Sequence, residues 1–217
     1  MTQYVLPLPV RPHLSDRDFL ITGANELAAA WIDRWPDWPQ RRLALVGPAG
    51  SGKSHLALVW AARTGAAVVD GPDLQGDLTA AALVIDHADQ APAAPLLHCL
   101  NQQAETAGSV LLLARTPPTQ WPFRLKDLTS RLATVAVAEI AAPDDALMEG
   151  LLLKHAHDRQ LVINPAVVQL FTRHLERSAA AAATAITLLD ELSLRTHRRA
   201  TVSLARQVVA QLATDPS

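Results

Sequence analysis

Short apolar runs recur along the first part of the chain, and stretches with helical spacing separate them. The runs cover residues 43–46, 66–69, 81–85, 109–113 and 134–137. Strands that are apolar throughout, with helices between them, are typical of a parallel sheet that is covered on both faces. We therefore expect an α/β domain that is built on a five-stranded parallel sheet.

The pattern changes near residue 142, after which only helical periodicity remains. Helices are predicted over residues 144–158, from 164–165 onward, over 178–194 and over 203–212. Asn25 and Asp89 are expected to cap two helices earlier in the chain. The pattern thus predicts an α/β domain over residues 13–141 and a small all-helical domain over residues 142–217.

Residues 1–12 are a third kind of segment, apolar but unsuited to a helix. Three prolines within six residues force an extended backbone and leave several apolar side chains without an obvious core partner. The segment could be a tail that lies across its own domain. It could also be a linear peptide that docks on another protein, with Leu6 and Leu8 as anchors and Gln3 as a polar contact.

Composition limits the classes of function. The 217 residues are 49% hydrophobic and 18% charged, which is typical of a globular chain, and the net charge of −2 gives no strong bias towards nucleic acid or membranes. No apolar run is long enough to span a bilayer, and the N-terminus lacks the pattern of a signal peptide. The single cysteine, Cys99, fits a reducing compartment and is expected to be buried. We predict a cytoplasmic protein.

The clearest chemical signature follows the first apolar run. It fits G-x-x-x-x-G-K-[ST], the phosphate-binding loop between a buried strand and a helix. Its residues are Gly47, Pro48, Ala49, Gly50, Ser51, Gly52, Lys53 and Ser54. Glycines let successive backbone N–H groups point at phosphate oxygens, and the helix that begins near Lys53 adds the positive end of its dipole. Lys53 would contact the β- and γ-phosphates, and the Ser54 hydroxyl would bind Mg²⁺.

Asp86 ends the third apolar run, a position that holds the Mg²⁺ shell in P-loop proteins. Many ATPases carry a second carboxylate directly afterwards to polarise the attacking water, but here that residue is His87. A neutral imidazole is a weaker electrostatic match for this role. We therefore expect tight nucleotide binding with slow intrinsic hydrolysis.

Arg131 lies at the end of a predicted short helix, just before the fifth apolar run. Two interpretations fit this position. The guanidinium could be a solvated surface charge, or it could be an arginine finger that is presented to the γ-phosphate on a neighbouring subunit.

Taken together, these stretches resemble the DnaA/Hda family of AAA+ ATPases, most closely its Hda branch, over nearly the whole chain. Residues 47–54 match the Walker A motif and residues 83–86 the Walker B motif. Residues 111–118 resemble the sensor 1 strand. Residues 128–132 resemble the motif that carries the family's arginine finger, which favours that role for Arg131.

The resemblance implies further binding residues. Phe19 and Leu20 belong to a segment that would line the adenine pocket, His55 would follow the phosphate loop, and Arg177 would contact nucleotide from the helical lid. The N-terminal peptide, residues 1–12, is similar to the family's motif for binding the DNA polymerase III sliding clamp, its beta subunit. The implied clamp-binding residues are Gln3, Leu6, Pro7 and Leu8.

The function that the resemblance implies is negative regulation of chromosomal replication initiation in the bacterial cytoplasm, at the replisome and nucleoid. With ATP or ADP and Mg²⁺ bound, and held on the clamp, the protein would present Arg131 to ATP carried by DnaA. The stimulated hydrolysis would convert the initiator to its inactive ADP form. DNA would be contacted through the clamp, no membrane would be bound, and whether the protein forms a homodimer stays open.

Three positions depart from the family's pattern. Arg115 stands where sensor 1 usually has a small polar or acidic residue, and His87 replaces the acidic or amide residue after Asp86. Ala180 stands where the sensor 2 arginine is expected, with Arg177 one turn earlier as a substitute. We expect these changes to weaken hydrolysis by the protein itself and to leave nucleotide binding intact.

Two other functions stay open. The chain could be a free-standing P-loop ATPase or small kinase, which would hydrolyse or transfer phosphate without a partner. It could also be a helicase-loader-like adaptor that contacts DNA through the basic cluster 195–199. No aromatic residues interleave that cluster, so a solvated turn is the favoured interpretation.

Overall fold

The computed structural model describes residues 20–76, 78 and 80–214. The described residues divide into two compact units, and the division falls between Ala141 and Ala142. In the described part of the chain, no helix is both long and apolar enough to cross a membrane.

The first unit contains a parallel sheet. Its strands are β1 (Arg42–Val46), β2 (Ala67–Asp70), β3 (Ala82–Asp86), β4 (Ser109–Ala114) and β5 (Ala136–Glu139). Their spatial order is β2-β3-β4-β1-β5, and every pairing between neighbours is parallel. The predicted five-stranded parallel sheet is confirmed, and each strand lies close to its predicted range.

Within the described residues, four α-helices of the first unit pack around the sheet, and four further helices make up the second unit. Those of the first unit are α1 (Glu26–Asp33), α2 (Lys53–Thr64), α3 (Ala93–Glu105) and α4 (Lys126–Leu132). Those of the second unit are α5 (Asp145–Asp158), α6 (Pro165–His174), α7 (Ala179–Thr196) and α8 (Val202–Thr214). The predicted all-helical second part is confirmed over its described residues.

Alternate side chains of the three central strands, β1, β3 and β4, enter two separate cores. Leu43 and Leu45 of β1 pack with α1 and α2 on one face of the sheet. Ala44 and Val46 pack with α3 and α4 on the other face. Because both faces are covered, every residue of the neighbouring strand β4 is buried, which explains its continuous apolar sequence. Cys99 is buried in the second of these cores as expected, and burial raises the pKa of its thiol to about 11.

The second unit is a helical bundle with its own core, in which Met148, Leu152, Phe171, Ile186 and Leu189 are fully buried. Its helix starts are capped by short polar side chains. Asp144, Asn164 and Ser178 accept hydrogen bonds from the backbone N–H groups of Leu147, Val167 and Ala181, respectively.

Two predicted helix caps turn out differently. Asn25 takes the predicted N-cap position of α1, but its side chain makes no capping hydrogen bond, because its amide donates to the carbonyl oxygen of Leu20 and its oxygen accepts from the N–H of Thr22. Asp89 lies inside a short 3-10 turn, and α3 begins only at Ala93. The predicted cap at Asp89 is therefore wrong, since a short turn stands where the helix was expected to begin.

Candidate functional site

A tight loop connects the C-terminal end of β1 to Lys53, the first residue of α2. Gly47 has a φ of +155°, and a Cβ added there would lie 2.2 Å from the carbonyl oxygen of Ile140. Gly52 has a φ of +98°, in the left-handed region that favours glycine. The loop can therefore approach the β5 end of the sheet closely while it leads directly into the N-terminus of α2. Unpaired N–H groups and the positive dipole end of that helix suit an anion.

The Lys53 ammonium is held against this loop. Its Nζ donates to the carbonyl oxygens of Gly47 at 2.9 Å and Pro48 at 2.7 Å. Burial lowers the pKa of Lys53 below its ordinary value, the charge of Asp86 opposes this, and the charge of Arg115 adds to it. The Lys53 ammonium thus lies at the loop, within reach of the charges of Asp86 and Arg115. Phosphate oxygens would complement its positive charge.

The two predicted Mg²⁺ ligands lie next to each other. Ser54 Oγ, in the first turn of α2, donates to Asp86 Oδ2, at the end of β3, at 2.8 Å. A hydroxyl and a single carboxylate beside a phosphate-binding loop are the oxygen ligands that Mg²⁺ uses together with nucleotide phosphates. The residues present therefore fit a magnesium nucleotide. Among the described residues, no cluster of three or more His, Cys, Asp or Glu could hold a metal ion.

His87 is fixed in place by its neighbours. It has a φ of +48°, and its backbone N–H donates to Asp86 Oδ1 at 2.9 Å. Its Nδ1 lies 2.8 Å from Asp70 Oδ1. This hydrogen bond raises the pKa of His87, burial opposes the rise, and the charges of Asp86, Asp70 and Asp89 add to it.

Asp70 is a residue of this site that the sequence analysis missed. It ends β2 and pairs in register with Asp86 at the end of β3. Two adjacent apolar runs that each end in aspartate could have indicated the pair, because parallel neighbours bring their C-terminal ends together. The chain after Asp70 is also packed closely, since a Cβ on Gly71 would lie 2.3 Å from the carbonyl oxygen of His87.

Arg131 lies at the opposite end of the strands. The helix that carries it, α4, leads into β5, whose Ala136 pairs with Leu43 near the start of β1. Arg42, the first residue of β1, is 3% exposed, and its Nη2 donates to the carbonyl oxygen of Leu100 at 2.8 Å. Burial lowers the pKa of Arg42, and the charge of Arg131 is the next cause.

Arg131 is close enough to Arg42, at the start of β1, for its charge to act there, whereas the phosphate-binding loop follows the end of that strand. A strand of this length spans roughly 13 Å at about 3.3 Å per residue. Arg131 and the loop thus lie at opposite ends of the strands. Arg131 itself is partly exposed.

The structure also describes four other residues of the predicted site. Leu20 is partly buried, His55 is exposed in the first turn of α2, and Arg115 directly follows β4, the strand beside β1. Arg177 pairs with Asp145 of its own unit at 2.6 Å and donates to the carbonyl oxygen of Pro143 at 3.3 Å. A phosphate would have to compete with that carboxylate for the guanidinium.

Five predicted residues lie outside the described part of the chain, so their assignments stay predictions. They are Phe19 of the adenine pocket and the clamp-binding residues Gln3, Leu6, Pro7 and Leu8.

Comparison with solved structures identifies the fold. Domain III of the replication initiation protein DnaA from Thermotoga maritima superposes with a TM-score of 0.78 at 16% identity, covering 94% of this chain and 98% of that one. DnaA from Aquifex aeolicus, bound to AMPPCP, gives 0.70 at 14% identity, covering 86% and 70%. The RuvB branch migration motor of Thermotoga maritima gives 0.63 at 16% identity, covering 80% and 62%. The chain therefore shares the fold of DnaA domain III and of RuvB.

The helical unit matches a known family model. Residues 145–209 match the family model described as the lid domain of Hda. No curated protein sequence matches the chain significantly. The chain is thus similar to Hda over its helical unit and to domain III of DnaA in its fold.

We predict that Asp70→Asn lowers the pKa of His87 back towards its ordinary value of 6.5, because the hydrogen bond to Asp70 is the main cause of the rise. A raised folded-state pKa means that the pair stabilises the protein below pH 6.5 and that this contribution is lost as the pH rises through the raised value. The imidazole pKa can be followed by NMR titration.

Asp89→Asn is the matched control. Asp89 acts on His87 only through its charge, and that charge makes the smallest contribution to the raised pKa of His87. Its effect should be smaller than that of Asp70→Asn. Equal effects of the two substitutions would contradict this account of the pair.

Proposed function

We propose that this protein is a nucleotide-bound regulator of bacterial replication initiation, and that it supplies Arg131 to ATP held by a DnaA partner. One observation carries the proposal: Arg131 lies near the start of β1, whereas the protein's own phosphate-binding loop follows the end of that strand. A guanidinium in that place cannot serve the nucleotide of its own loop. It is partly exposed and suits a phosphate on a neighbouring molecule.

The C-terminal side of the sheet would hold ATP or ADP with Mg²⁺. Backbone N–H groups of the loop and the Lys53 ammonium would bind the phosphates, while Ser54 and Asp86 would hold the metal. The metal would supply charge neutralisation between the phosphates. Support comes from the contact between Ser54 and Asp86 and from DnaA structures that contain AMPPCP.

Hydrolysis of the protein's own nucleotide should be slow. The hydrogen bond to Asp70 raises the pKa of His87, which favours the cationic imidazole. A cationic imidazole has no free nitrogen lone pair, so it cannot accept a proton from water. The bound nucleotide would then hold the protein in its active form while the catalysis takes place at the partner's ATP.

Docking on the DNA polymerase III sliding clamp would bring this protein to DNA and to DnaA. The proposed contacts are Gln3, Leu6, Pro7 and Leu8, and they rest on the sequence motif. In this arrangement DNA is reached through the clamp, and the catalytic centre is completed by two different proteins.

We predict that Arg131→Ala abolishes the stimulation of ATP hydrolysis by DnaA, with a loss of about 10³-fold or more if the guanidinium acts as a finger. The measurement is phosphate release from ATP-loaded DnaA in the presence of clamp and DNA. Arg124→Ala is the control, since Arg124 is an exposed arginine in the loop before α4. Full stimulation by the Arg131→Ala protein would refute the proposal, and ATP hydrolysis at a normal rate without any partner would favour a free-standing ATPase.

A second prediction concerns residues 1–10. A protein that lacks them should no longer bind purified clamp, because the extended peptide with its leucine anchors would be gone. It should still bind nucleotide. Surface plasmon resonance with immobilised clamp measures the difference, and equal binding by the truncated and full-length proteins would remove the clamp from the proposal.

A further inference from the structure

A cleft of about 830 Å³ opens in the helical unit, between the α5–α6 loop and the α7–α8 loop. Two large aliphatic side chains of its wall are exposed to solvent, Val162 to 87% and Leu194 to 69%. Their neighbours Leu161 and Ile163 pack on the core of the unit instead. The cleft thus offers apolar surface that the bundle does not cover.

The same cleft is cationic. Arg198, Arg199 and His197 line it, and none of its lining residues is acidic. Within the part of the chain that the structure describes, no ion pair engages the guanidinium of Arg198 or Arg199. By contrast, Arg159 and Arg177 of this unit lie near carboxylates, at 3.7 Å from Asp190 and 2.6 Å from Asp145, respectively.

Two helices begin at the cleft and add to its positive potential. Asn164 and Thr201, which precede α6 and α8, both line it. Asn164 Oδ1 accepts from the N–H of Val167 at 2.9 Å, and Thr201 Oγ1 accepts from the N–H of Leu204 at 3.5 Å. The positive ends of both helix dipoles are therefore at the cleft, where they favour negative charge.

The basic loop is held in a fixed conformation. His197 ends α7 with a φ of +52°, and the N–H of Arg198 donates to the carbonyl oxygen of Ser193 at 3.1 Å. The hydroxyl of Ser193 in turn donates to the carbonyl oxygen of Arg198. A loop that is ordered in advance loses less conformational entropy when a ligand binds.

We propose that this cleft binds an acidic peptide segment of another protein, one in which carboxylates flank an aliphatic side chain. The carboxylates would pair with Arg198 and Arg199, and the aliphatic side chain would pack on Val162 and Leu194. Nucleic acid fits less well. Phosphates would use the cations and leave the aliphatic surface exposed, and the lining contains no Phe, Tyr or Trp on which bases could stack.

The test is fluorescence anisotropy with labelled probes and the purified full-length protein, without nucleotide, clamp or DnaA. The first probe is a short peptide with two leucines flanked by glutamates. The second has serines in place of the leucines, the third has lysines in place of the glutamates, and the fourth is single-stranded DNA. The first should bind most tightly, with an affinity that falls as the salt concentration rises. Equal binding of the first three probes, or tighter binding of DNA, would overturn the proposal.

Variants assign the binding to the cleft. Removing both guanidinium groups with Arg198→Ala and Arg199→Ala should weaken binding of the first peptide about tenfold or more, and Val162→Ser should weaken it as well. Arg173→Ala is the matched control, because Arg173 is an exposed arginine at the far end of α6 from Asn164. Circular dichroism checks that each variant is folded. Unchanged affinity in the cleft variants, or an equal loss in the control, would overturn the proposal.

Discussion

The parallel direction of all five strands is the constraint on which the rest of the structure depends. Because all five strands run in the same direction, their C-terminal ends lie along the same edge of the sheet. The glycine loop, Ser54, Asp86 and the pair formed by Asp70 and His87 all follow from that arrangement. Close packing keeps it in place, since a Cβ on Gly47 would collide with the backbone of Ile140 after β5.

The same constraint separates two kinds of chemistry. Anion-binding groups and carboxylates gather where the strands end, whereas Arg42 and Arg131 lie where β1 and β5 begin. Arg42 is buried and bound to the carbonyl oxygen of Leu100, so it supports the sheet from within. Arg131 is partly exposed. The proposed nucleotide site and the proposed arginine finger therefore lie at opposite ends of the strands.

Local sequence patterns were sufficient to predict the sheet, the glycine loop and the helical unit. Continuous apolar runs indicate which segments are buried, and glycine spacing indicates the local backbone conformation. They could not predict the contact of His87 with Asp70, which depends on strand register between segments far apart in sequence. Nor could they predict that Asn25, at the N-cap position of α1, uses its side chain to bond the preceding turn and not the helix. The sequence of the basic cluster at residues 195–199, taken alone, predicts a solvated turn. Nothing in that segment indicates that Val162, far away in sequence, lines the same cleft.

Calorimetric titration with magnesium-bound ATP or ADP tests the central claim most directly, because it compares the contributions of Lys53 and Arg131 to nucleotide binding by the same protein. Lys53→Ala should weaken nucleotide binding about tenfold or more, since it removes a charged contact to phosphate. Arg131→Ala should bind nucleotide as the unaltered chain does. Weakening by Arg131→Ala to the same extent as by Lys53→Ala would contradict the claim that this arginine serves a nucleotide held by another protein.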